Sequence, residues 1–147
     1  MESVMIVTNL TLAFLFGGII GFLREAEGKT AGLRTHILVC VGSALFMMLS
    51  AYMLSLSSLA DPGRIAAGVV TGIGFLGAGA IIQAGGAVRG LTTAASIWIV
   101  SAIGMACGTG FYVGATATTV FAIIVLQLLR IIENKVIGSK KKPEDRD

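Results

Sequence analysis

Five long apolar runs separated by short polar stretches organise this chain of 147 residues. They extend from Val4 to Leu23, Thr35 to Leu56, Ile65 to Gln83, Leu91 to Cys107 and Phe111 to Ile132. Arg130, near the end of the last run, is the sole Asp, Glu, Lys or Arg inside them. Each run approaches or exceeds the ~20 residues a helix needs to cross the hydrocarbon core of a bilayer. Lipid leaves no solvent for an open backbone, so runs of this length are read as helices. The pattern therefore predicts an all-α, polytopic integral membrane protein, a bundle of five transmembrane helices over residues 1–132. Glu133 to Asp147 follows as a short polar tail, too short for a domain.

The third run differs from the others. Between Ile65 and Gln83 stand Gly68, Gly72, Gly74, Gly77 and Gly79. In water each would cost a helix about 0.8–1 kcal/mol against alanine, a loss that close packing in a membrane can offset. At 100° per residue Gly68, Gly72 and Gly79 share a narrow stripe, and Ala66, Ala67, Gly74, Gly77 and Ala78 line a broad arc opposite. A central helix held on two sides is expected. Gly17 and Gly21, at i and i+4 near the end of the first run, form a second small-residue pair. In the loop before the third run, Asp61-Pro62 reads as an N-cap followed by proline at the first helical position.

Composition agrees: 55% of residues are hydrophobic and 13% charged, with a mean hydropathy of +0.90. The pI near 9.1 would suit a nucleic-acid binder, but the basic residues cluster beside apolar runs, where membrane topology accounts for them. No nucleic-acid partner is expected. Ten of the eleven Lys and Arg residues fall on one side if the N-terminus is outside, leaving Arg64 opposite. That bias predicts an outside N-terminus and a cytoplasmic C-terminus, with the basic tail (Lys140, Lys141, Lys142) against anionic lipids of the inner leaflet. Met1 to Phe22 lacks a basic leading segment and is expected to remain as an anchor rather than be cleaved. Cys40 and Cys107 lie in separate runs and at opposite expected depths, as unpaired small hydrophobes.

A weak repeat emerges when the chain is slid by 58 residues: Gly21 falls on Gly79, Gly32 on Gly90, Leu33 on Leu91, Thr35 on Thr93 and Ser43 on Ser101. A Gly- and Ala-rich chain yields some such matches by chance. As a true repeat, it makes runs one–two and three–four parallel helical hairpins about an axis along the membrane normal.

Candidate chemistry is confined to the membrane edges. No metalloprotease, phosphate-loop, nucleophile-elbow or Cys/His ligand pattern is present, and no enzyme is expected. Asp61 and Arg64 bracket the outer start of the third run, either as a cap with a local ion pair or as a carboxylate attracting hydrated Mg²⁺. Arg24 and Glu25, with Glu27, close the first run as interfacial anchors or as an inner polar network. Arg34 and Arg89 precede the two outward helices, as topology anchors or paired cytoplasmic gates. Thr93, with Thr92 and Ser96, caps and packs the fourth run or lines a pore. His36, the single histidine, reads as a hydrogen-bonding residue near the interface. No carboxylate lies deep within a run, which weakens an ion-binding core.

Three blocks carry a family resemblance: Gly32-Leu33-Arg34-Thr35-His36, Pro62 to Ile82, and Val88 to Trp98 (VRGLTTAASIW). In this order they resemble the MgtC/SapB membrane proteins of bacteria over roughly Gly17 to Gly110. The resemblance implies a multi-pass protein of the bacterial inner membrane linked to magnesium transport or homeostasis and, in some pathogens, to survival inside host cells. Mg²⁺ then enters as substrate or signal, and no resident cofactor is implied. The resemblance also implies an alternative, a non-transporting regulator that docks onto another membrane protein such as the ATP synthase. A homo-oligomer or a membrane-protein partner is expected in either case. Two departures stand out. The family's usual acidic residue before the arginine of the first loop is replaced by Leu23. Ligand sensing through a cytosolic C-terminal domain, found in many members, is not expected from the short tail.

Overall fold

The computed structural model describes residues 3–57, 61–84, 87–129 and 131, with side chains at 82–84 and 87 left aside. The order is α1 (Ser3–Ala26), α2 (Leu33–Leu56), α3 (Pro62–Ala80), β1 (Ile82–Ala84), β2 (Ala87–Arg89), α4 (Leu91–Gly108) and α5 (Tyr112–Ile123), which continues as a π-helical stretch over Ile124–Leu129. Among the described residues, five helices are long and apolar enough to cross a membrane, the fifth spanning Tyr112–Leu129. The basic tail beyond Ile132 lies outside the described residues.

The glycine-rich third run is shorter at its far end than the apolar pattern suggests. The helix stops at Ala80, and Ile82–Ala84 pairs antiparallel with Ala87–Arg89, with Ile82 opposite Arg89 and Ala84 opposite Ala87. Apolarity alone does not distinguish a short strand from the end of a helix. Gly90 joins this ribbon to α4 in a left-handed conformation (φ +89°), and a Cβ there would collide with the Ala80 carbonyl. Both constraints select glycine.

The middle of the bundle is α2 and α4. They run parallel: His36 meets Ser96 and Ser43 meets Ser101, in ascending order along both helices. Gly104 and Gly108 of α4 lie so close to α2 that added Cβ atoms would strike the carbonyls of Cys40 and Ala44. On the other flank Gly17 and Gly21 of α1 would place a Cβ 2.7 Å from Cys40 Cβ and 2.8 Å from Leu33 Cα. Helix α2 is thus held between glycine faces of two neighbours. Around the seam lie Ala13, Ile20, Cys40, Ala44, Val100, Ile103, Cys107 and Ala115, all buried.

The glycine-rich α3 is central in chain order but lies at the rim of the single-chain bundle, against α2 and α4. Of its six glycines only Gly77 meets a neighbouring helix, its added Cβ 3.6 Å from Ala94 Cβ; Gly63 sits against the Asp61 cap, and Gly68, Gly72, Gly74 and Gly79 face open space. The expectation that this helix is held on two sides is corrected within one chain. Small residues permit close approach, but they do not dictate which helix approaches.

The spacing of 58 residues acquires a structural counterpart. Ser43 Oγ and Ser101 Oγ, equivalent under that shift, lie 2.8 Å apart at the α2–α4 seam. Helix α1 packs on α2 and α4, while α3 packs on α4 and α2. That exchange is what a twofold axis between α2 and α4 produces, with α5 outside the repeat.

Candidate functional site

One end of the bundle gathers a buried polar cluster from four segments. Arg24, in the last turn of α1, is 2% exposed. A guanidinium here must be paired, because an uncompensated buried charge costs several kcal/mol. Its Nη2 donates to Thr93 Oγ1 in the first turn of α4 at 2.8 Å. Its Nη1 faces Glu27 Oε2 at 3.4 Å, the one ion pair among the described residues. Glu27 Oε1 in turn accepts from Gln127 Nε2 in the π-helical stretch at 2.9 Å. The widened π turn and this hydrogen bond occur together, and such turns frequently mark functional positions.

His36 extends the cluster into α2. Its Nδ1 lies 2.8 Å from the Gly32 carbonyl, which can only accept, so Nδ1 carries a proton. Its Nε2 lies 3.1 Å from Ser96 Oγ, and Ser96 Oγ lies 2.8 Å from the Thr93 carbonyl. The serine has one hydroxyl proton and two acceptors beside it when the ring is neutral. A doubly protonated ring would donate to Ser96 and leave that proton for Thr93. Thr93 thus joins both halves, through its hydroxyl to Arg24 and its carbonyl to Ser96.

The remaining residues singled out from sequence are dispersed. Glu25 Oε2 accepts from the Leu33 N–H at 2.8 Å, capping α2 from the last turn of α1. Arg34 is exposed on the first turn of α2, away from the cluster. Arg89 is exposed at the end of β2. Asp61, at the opposite end of the bundle, accepts from Gly63 N–H at 2.8 Å as the N-cap of α3. Arg64 is exposed there and donates its backbone N–H to the Asp61 carbonyl, with no ion pair between their side chains.

Three participants escaped the sequence reading. Gln127 completes the inner cluster. Asn9, 1% exposed, accepts from Tyr112 OH at 2.6 Å and reaches the Gly108 carbonyl from Nδ2 at 3.4 Å. This neutral clamp ties α1 to the α4–α5 corner at the end remote from Arg24. Asn9 and Gln127 are amides inside otherwise apolar runs. That was the available signal, since a buried polar group in lipid must find a partner.

Five apolar, membrane-length helices among the described residues, tied by interhelical polar bonds, define a multi-pass membrane protein. The MgtC family model matches residues 10–135, and the chain belongs to that family. It is 48% identical over 127 residues to YhiD of Escherichia coli (strain K12), named as a candidate magnesium transporter, covering 83% of this chain and 59% of that one. It is 51% identical over 118 residues to MgtC of Brucella abortus (strain 2308), covering 80% of this chain and 48% of that one. With MgtC of Salmonella typhimurium (strain LT2) it shares 45% over 124 residues, 84% of this chain and 52% of that one. The chain spans about half the length of the curated relatives it matches. No solved structure matches it.

Proposed function

We propose that this chain serves magnesium homeostasis from the bacterial inner membrane, N-terminus outside, as a regulator that acts on another membrane protein and does not itself conduct Mg²⁺. The magnesium link is supported by the family and by the name of the Escherichia coli relative. The regulatory reading is carried by one observation: Glu27 is held between the Arg24 guanidinium and Gln127. Mg²⁺ requires near-octahedral oxygen ligation and typically takes one or two carboxylates together with waters. A Mg²⁺ ion at Glu27 would have to displace a buried arginine. The other carboxylates among the described residues, Glu25 and Asp61, are engaged as helix caps. The cluster behaves as a lock joining α1, α4 and the π-helical stretch.

The rival reading is magnesium transport, and flux decides between them. Proteoliposomes of the full chain, loaded with a Mg²⁺-sensitive dye, should admit Mg²⁺ no faster than protein-free vesicles. Influx above that background, abolished by Glu27→Gln, would establish transport instead.

A further inference from the structure

Two cavities adjoin along α4 and α5, and their chemistry differs. At the end that carries the polar cluster, a cavity of about 830 Å³ is lined by Arg24, Lys29, Thr30, Arg89, Thr92 and Thr93, with Glu27 the only carboxylate among the described residues that line it. Glu27 is matched to Arg24, while Lys29 and Arg89 are exposed and form no ion pair among the described residues. The cavity therefore has an excess of positive charge. Helix α4 begins at its wall with no side-chain cap at Gly90, so the first-turn amides add partial positive charge. Immediately beyond, between α4 and α5, an apolar slot of about 610 Å³ runs past Ala95, Trp98, Ile99, Thr118 and Phe121. The two share Thr92, Val125 and Leu126. A basic chamber at the membrane edge thus opens into an apolar slot at membrane depth.

We infer that these joined cavities form a binding site for one anionic phospholipid, its phosphate among Lys29, Arg89 and the Thr92/Thr93 hydroxyls and an acyl chain in the α4–α5 slot. A soluble phosphate compound would fill the chamber and leave the slot empty. A neutral lipid would fill the slot and leave the cations unmatched. An anionic lipid satisfies both, as basic pockets between transmembrane helices do for acidic headgroups. The proposal does not depend on the choice between transport and regulation.

The test is native mass spectrometry of the full chain released from detergent with phosphatidylglycerol or phosphatidylcholine of identical chains. Lys140→Gln, Lys141→Gln and Lys142→Gln are present throughout to remove the tail's contribution. The chain should retain phosphatidylglycerol at least tenfold better than phosphatidylcholine. Lys29→Gln with Arg89→Gln should abolish that preference, and Ala95→Phe, filling the slot from an exposed position, should weaken retention of both lipids. Unchanged helical circular dichroism shows that each variant is folded. A preference that survives the double substitution would overturn the site. So would displacement of the lipid by glycerol phosphate as effective as that by short-chain phosphatidylglycerol, since it would make the ligand a soluble phosphate.

Discussion

Helices α3 and α4 are both rich in small residues and have opposite fates. Helix α3 carries six glycines, of which one touches a neighbouring helix. Helix α4 carries two, Gly104 and Gly108, and both press against the α2 backbone. Polar bonding follows the same division. The described side chains of α4 bond to α1 through Thr93 and to α2 through Ser96 and Ser101. A side-chain hydroxyl bond from α2 toward α3, Ser50 Oγ to the Pro62 carbonyl, falls at the start of α3. Glycine abundance therefore marks where a helix could be approached closely. The placement of carbonyls and hydroxyls opposite marks where it is.

The most severe way to probe that contrast is to enlarge one glycine on each helix. Gly104→Leu has no room, because even a Cβ overlaps the Cys40 carbonyl, and it should prevent α4 from seating on α2. Overpacking costs typically about 1–3 kcal/mol, and backbone contact places this change at or above the top of that range. Gly72→Leu, with open space around it, should leave thermal stability in detergent within about 0.5 kcal/mol of the parent. If Gly72→Leu unfolds the protein as readily as Gly104→Leu, the α3 face is buried against another chain and the contrast fails.

The difference between these helices also shows what was legible beforehand. The five spans follow from hydropathy, because lipid forces every long apolar run into one of very few backbone forms. The Asp61 cap could be read because capping is local, and its hydrogen bond joins residues two apart. The paired strands 82–84 and 87–89 leave no mark in the sequence that separates them from a helix end, since three residues give too short a pattern. The inner cluster was visible only in part. Arg24, Glu27 and Thr93 drew attention by charge and position, but Gln127 is 100 residues from Glu27 and became relevant only through folding. Which glycines are buried is likewise a tertiary fact. Gly104 and Gly17 differ from Gly72 in what lies opposite, and a single sequence does not state that.

Next in size is the link that fastens α4 to α1. Arg24→Met keeps much of the side-chain length while removing the charge, and it leaves Glu27 and Thr93 without the guanidinium. Breaking a buried pair by removing one partner costs about 3–5 kcal/mol, here toward the lower figure because Gln127 still donates to Glu27. Thermal unfolding should show the loss, and Arg24→Met with Glu27→Gln should recover part of it. A double variant no better than the single would mean that the pair is not the fastening.

A smaller effect is expected at the seam itself. Ser43→Ala removes one of two buried hydroxyls 2.8 Å apart. Interhelical hydrogen bonds in membranes average about 0.6 kcal/mol, with a maximum near 1.7. The double change Ser43→Ala with Ser101→Ala should cost little more than either single, because both delete the same bond. Additive losses in chemical denaturation would show that each hydroxyl has a separate partner.

The smallest effect belongs to the start of α3. Asp61→Asn keeps an acceptor for the Gly63 amide, so the cap survives. It removes one negative charge near the positive end of the helix dipole, typically about 0.3–1 kcal/mol. A carboxylate that recruited Mg²⁺ would respond differently, since an amide oxygen carries no net charge for a divalent ion. The two roles separate in a magnesium-dependent bacterial strain expressing Asp61→Asn at parental membrane levels. Growth and magnesium uptake equal to the parent are expected, because the exposed Asp61 side chain bonds to its own helix and forms no ion pair with Arg64. Loss of both at normal abundance would make the rim helix the working part of the molecule. It would also reassign the α1–α2–α4 seam to support and restore the transport reading that the locked inner cluster argues against.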